Sequence, residues 1–188
     1  MRHVRTVFVT LAILTLAFSF PVSASSSVVE DAMGDAAAGT PAYVDVIQAK
    51  VTDQVGRDTL YFSMVVAGTF PETPPDNFLA YNWFADVDGN GTEDYFVVIR
   101  WCTERTVPRC AAVGPLPRWE AFVNRPGVGL TFFTSFKIDG AVIKAFVDPA
   151  LLGDPASFGT YAVTRTVPAA GFVGVDRAPD AGFVSFKR

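Results

Sequence analysis

The chain has 188 residues, half of them hydrophobic, and carries 15 basic against 19 acidic residues for a formal charge of −4. An acidic balance with no run of Lys or Arg lacks the electrostatic footprint of a nucleic-acid binder or of a protein held on anionic membranes. One histidine and two cysteines leave little room for imidazole or thiolate chemistry.

Residues 1–24 have the plan of a secretory signal. Arg2, His3 and Arg5 form a basic start, 6–20 is an apolar run, and Val22-Ser23-Ala24 supplies small residues before Ser25. A membrane anchor is the competing reading, but spanning takes roughly 20 apolar residues and Pro21 with its serines ends this run early. No cysteine follows to take a lipid. The expected product is exported, extracellular or periplasmic, with no membrane association after cleavage. Loss of Arg2 and Arg5 reduces the 15 basic residues to 13 against 19 acidic, a charge of −6. His3, the sole histidine, leaves too. Without it the mature chain has no Ser-His-Asp or Cys-His machinery, no His-containing zinc or copper site and no imidazole for haem. Met33 and Met64 each carry a sulfur for haem, a role set against ordinary core filling. The roughly 164 residues that remain suit one domain, with 25–42 as a lead-in and 43–188 as the domain.

The segments 43–53 and 58–67 alternate or run apolar between turn residues and predict strands. Two more, 81–87 and 95–101, flank an acidic loop. Another covers 118–125, after proline-rich punctuation. The pair 131–138 and 141–147 faces across Asp139-Gly140, a type I′ hairpin signal. Residues 149–153 predict one short helical turn, and strands over 158–167 and 181–188 close the chain. About nine short strands with no long amphipathic helix predict an all-β, antiparallel two-sheet β-sandwich. Strands apolar on both faces read as central ones, with aromatics spilling onto an outer face.

The acidic loop is the most informative segment. Asp86, Asp88, Asn90 and Asp94 stand at positions 1, 3, 5 and 9, with Gly91 at 6 and the Thr92 carbonyl at 7. Calcium gathers six to eight oxygens at ~2.3–2.6 Å, and alternating acidic residues in a tight turn aim at one centre. A plain Asn-Gly hairpin accounts for Asn90 and Gly91 but not for three carboxylates. This is no EF-hand, because position 12 is Val97 and a strand follows. In this setting the D-x-D-x-N-G-x-x-D pattern resembles the calcium loops of integrin-type β-propellers. The resemblance implies ligand roles for Asp86, Asp88, Asn90, Thr92 and Asp94; no blade-length repeat accompanies it. Asn90-Gly91-Thr92 also matches a glycosylation sequon, though Asn90 is better used as a metal ligand.

Cys102 and Cys110, close in sequence and in an exported chain, read as a disulfide. Such a short closed loop stabilises by ~2–3 kcal/mol in the chain-entropy model. A second acidic group comprises Asp31, Asp35, Asp45, Asp176 and Asp180. First and last strands of a sandwich often lie close, so these residues either share a second cation or are solvated turn residues.

The order of 59–66, the strand into the acidic loop, the hairpin 136–153, then 158–165 and 181–188 resembles the DOMON-like sandwiches, including family-nine carbohydrate-binding modules. VIKAFVDPALLG matches a strand-then-turn feature of those modules, with Asp148-Pro149 where a bare proline is commoner. The resemblance implies a secreted recognition domain for sugars or, in other branches, haem or quinone-type groups. Sugar recognition needs aromatic platforms, for which Trp83, Trp101 and Trp119 are the candidates, supported by Tyr81, Tyr95 and Tyr161. The leading expectation is a non-catalytic, calcium-binding module recognising carbohydrate or another surface polymer. A structural or adhesive domain without a small ligand is the alternative. A polysaccharide hydrolase would draw its carboxylate pair from Glu72, Glu93, Glu104 and Glu120.

Overall fold

Short β-branched and aromatic runs cut by Gly, Pro and Asp give strands rather than helices here. The computed structural model describes residues 24–54, 56–104, 114–168 and 174–188. Among them are twelve strands: β1 (Ser26–Glu30), β2 (Val46–Gln54), β3 (Thr59–Val66), β4 (Asp76–Asp86), β5 (Tyr95–Cys102), β6 (Arg118–Arg125), β7 (Gly129–Phe132), β8 (Phe136–Asp139), β9 (Val142–Val147), β10 (Ser157–Pro168), β11 (Gly174–Ala178) and β12 (Val184–Lys187). One five-stranded sheet runs β1-β2-β3-β9-β8; the other runs β11-β10-β4-β5-β6-β7, with β12 also on β10. All pairings are antiparallel. The protein is an all-β, two-sheet sandwich, as the strand pattern predicts.

The differences lie in the count and the turns. Three strands escaped the pattern. β1 falls within the expected lead-in and pairs with β2, β11 is only five residues long, and 131–138 is two strands rather than one. Its first half pairs with β6 in one sheet and its second half with β9 in the other, so this segment crosses between the layers. The hairpin turn also sits one residue late, since Asp139 pairs with Val142 and leaves Gly140-Ala141 as the loop. That register sets Ile138 opposite the fully buried Ile143, and a one-residue slip would turn both from their faces. Residues Pro149–Leu152 form the short turn, a 3₁₀ one. The Asp148 carboxylate caps it by accepting from the Ala150 N–H, and Gly153 closes it at φ 78°.

Alternate residues of the two sheets fill the space between them. Leu60, Phe62 and Met64 of β3 face Tyr81 and Trp83 of β4, with Val97 and Ile99 of β5 alongside. Phe62 lies 6.0 Å from Trp83 and 6.3 Å from Phe158, ring centre to ring centre. The residues of opposite parity in the seven-stranded sheet are also buried, among them Phe84, Val98, Phe122 and Val163. Arg100 and Glu120 belong to this set, paired directly across β5 and β6. Glu120 accepts from Arg100 Nε at 2.6 Å, and Arg118 approaches its other oxygen at 3.7 Å. The Arg100 guanidinium also sits over the Phe122 ring.

Removing one partner of a buried pair strands the other charge, which costs about 3–5 kcal/mol. Glu120→Ala is therefore expected to lower stability by about that amount in urea unfolding, with a clearly smaller loss for Arg118→Ala. Equal midpoints for wild type and Glu120→Ala would show that the pair is not energetically coupled.

Candidate metal centre

Strand β4 delivers Asp86 as its last residue, opposite Gly159 of β10, and β5 resumes at Tyr95. Between them the chain must reverse within a few residues while its amides leave the sheet ladder. Acidic side chains take up those amides. Asp86 accepts from Gly89 N at 2.8 Å and from Gly91 N at 2.9 Å, one bond on each oxygen. Asp94 Oδ2 accepts from Val87 N at 2.8 Å, and Asp88 Oδ1 from Asn90 N at 3.0 Å. Gly89 and Gly91 hold φ of 74° and 85°, a region that side chains disfavour, so the reversal depends on these two glycines.

The outcome is convergence. Asp86, Asp88 and Asp94 each offer a carboxylate oxygen, and these oxygens lie within 4.8 Å of one another. Asp86 is buried, Asp94 half-buried and Asp88 exposed. Asn90 and Thr92 do something else in this structure. The Asn90 side-chain oxygen accepts from the Thr92 N–H at 2.7 Å and from its hydroxyl, while its amide donates to Asp88 Oδ2 at 2.9 Å.

A link that sequence reasoning missed ties the loop to the outer sheet face. Tyr161 donates its hydroxyl to Glu93 Oε1. Its ring stacks on Phe84 at 4.6 Å and 9°, and Arg177 lies 4.1 Å from the ring centre. The signal was the alternation of β10, which sets Tyr161 opposite Phe84.

The other expected residues fall as follows. Trp83 is 1% and Trp101 7% exposed, both facing the inter-sheet core. An indole so enclosed has no face to offer a solute, so both leave the candidate sugar platform. Their strands place them among the inward set, with Tyr81 and Ile99. Trp119 is half-buried, packed near Phe70 at 5.7 Å and Trp101 at 5.3 Å, and lines a cleft of about 450 Å³ with Phe70, Glu72 and Lys137. Tyr81 and Tyr95 are buried. Met64 is core and Met33 exposed. Cys102 is buried at the end of β5, and Cys110 lies outside the described residues. Of the glutamates, Glu120 is held by arginines, Glu93 by Tyr161, and Glu72 and Glu104 are exposed.

The second acidic group also converges. Oxygens of Asp31, Asp35 and Asp180 lie within 4.8 Å of one another, as do those of Asp35, Asp45 and Asp176. Burial, then the neighbouring Asp35, Asp176 and Asp180 charges, pushes the Asp31 carboxyl up to about 6 against the favourable Ala32 N–H. Burial chiefly, with the charges of Asp35 and Asp45, raises Asp176 above the usual carboxylate range.

No protein-family model, curated protein or solved structure matches the chain. The likeness to DOMON-like sandwiches accordingly rests on residue order and motifs.

Burial first, and the Glu93 hydrogen bond second, push the Tyr161 phenol up to about 12. A phenol raised in the folded state contributes stability that is present below about pH 10 and is lost as pH rises through about 12. Ultraviolet titration is expected to show the Tyr161 phenol ionising late, as a late component that Tyr161→Phe removes. Glu93→Gln should move it only part of the way back, because burial persists.

Proposed function

We propose that this protein is a secreted, non-catalytic β-sandwich module whose 86–94 loop binds a calcium ion and which recognises carbohydrate or another surface polymer. The observation that carries the calcium reading is the meeting of three carboxylates within 4.8 Å, none of which forms an ion pair with a described residue. A shell of oxygens at ~2.3–2.6 Å from one cation spans about that distance. Each carboxylate oxygen has two lone pairs, so the backbone N–H bonds leave capacity for a metal. Asn90 and Thr92 would complete the shell through the side-chain and main-chain oxygens that the loop pattern assigns them. Magnesium is the poorer guest, since it demands octahedral geometry at ~2.0–2.1 Å and keeps its waters.

Binding to the folded state alone stabilises by about 2.7 kcal/mol at a hundredfold excess over Kd. For a domain of this size that is a Tm rise of about 5–10 °C. EDTA-stripped protein is expected to show a rise of at least that size with Ca²⁺ and little with Mg²⁺, and Asp88→Asn to remove the part of it that the loop contributes. An unchanged Tm at every Ca²⁺ concentration would end the proposal.

Sugar recognition rests on Trp119. A cleft of about 450 Å³ combining an indole, Phe70, Glu72 and Lys137 offers a ring face beside polar groups. The adhesive reading draws on β7, an edge strand whose Leu130 and Phe132 are 43% and 45% exposed beside Val128 at 73%. A glycan array with Ca²⁺ present separates the two: sugar binding lost in Trp119→Ala supports the first, and no binding to any glycan supports the second. Cys102 and Cys110 are proposed as a disulfide, for which thiol titration of the unfolded, unreduced protein should find no free thiol.

A further inference from the structure

The aspartates at the sheet edges occupy a more constrained place than solvated turn residues would. Asp31 and Asp35 lie in the turn after β1, Asp45 directly precedes β2, Asp176 lies within β11 and Asp180 follows it. β1 and β2 belong to the five-stranded sheet and β11 is the edge of the other, so the group joins the two layers. Backbone donors fix the inner members. Gly34 N reaches Asp45 Oδ2 at 2.8 Å, Val46 N reaches Asp176 Oδ2 at 2.5 Å, and Arg177 N reaches Asp176 Oδ1 at 2.9 Å.

Asp45 and Asp176 are each 6% exposed. The remaining Asp45 oxygen, Oδ1, is buried without a hydrogen-bond partner, as is Asp31 Oδ2. None of the five carboxylates forms an ion pair with a described residue. A buried carboxylate oxygen with neither donor nor cation is costly, and here it lies among like charges. Two acidic triplets sharing Asp35, each within 4.8 Å, supply an all-oxygen set suited to a hard divalent ion.

We propose that Asp31, Asp35, Asp45, Asp176 and Asp180 form a second calcium site that ties the N-terminal strand of one sheet to the edge strand of the other. It is separate from the 86–94 loop. Asp176 stands opposite Thr164 and Asp86 opposite Gly159, five residues apart along β10. At ~3.4 Å per residue that is about 17 Å.

Isothermal titration of the EDTA-stripped full domain with CaCl₂, up to about 10 mM to reach weak extracellular-type sites, tests this. Wild type is expected to take up two equivalents. Asp35→Asn changes an exposed residue shared by both triplets, and it should leave one. Asp86→Asn/Asp88→Asn should also leave one, and the triple variant none; far-UV circular dichroism checks each fold. Asp45→Asn gives a second, buried probe of the same site. Unchanged uptake in both Asp35→Asn and Asp45→Asn, or no uptake at all in the Asp86→Asn/Asp88→Asn variant, would overturn the proposal. Uptake that Asp35→Asn reduces but the loop variant does not would instead remove the loop site and keep this one.

Discussion

Strand β4 pairs with β5 on one side and β10 on the other, and that placement governs most of what this protein can do. Held between two neighbours, β4 cannot shift register without exposing Leu79, Tyr81 and Trp83, all of them in the inter-sheet core. Because the register is fixed, the last residue of the strand is fixed too. That residue is Asp86, the buried anchor of the acidic loop. The same constraint sets Tyr161 against Phe84 and brings its hydroxyl to Glu93.

A sandwich with well-filled faces leaves its chemistry to its edges and connections. Both faces of the seven-stranded sheet carry buried side chains, and Arg100 and Glu120 among them pair with one another. Carboxylates instead gather where the chain leaves the ladders, in the β4–β5 turn and at the β1, β2 and β11 margin. In both places main-chain N–H groups orient the acids. For the ions proposed above, acids already oriented by the main chain would need little rearrangement.

Certain features could be read without coordinates because they depend on local chemistry. The spacing of Asp86, Asp88, Asn90, Gly91 and Asp94 encodes a tight reversal between strands, and the glycines are indeed at positive φ. Asp148-Pro149 and Gly153 mark the ends of a single helical turn. Other features were hidden. The run 131–138 shows uninterrupted strand character, yet its halves serve different sheets, because layer membership depends on distant partners. β11 was hidden because five residues, GVDRA, carry too little pattern to distinguish a strand from a turn.

Taken alone, the amino-acid order determined the strand-rich architecture and the acidic bend, since each follows from neighbours a few residues apart. Tertiary packing decided which side of each strand faces inward. Period-two alternation groups residues onto a face without saying which face is covered, and here both are apolar. For that reason Trp83 and Trp101 are core rather than platform, while Trp119 reaches a cleft. Packing likewise buried Asp45 and Asp176 side by side, a meeting of residues 131 positions apart that no local pattern encodes.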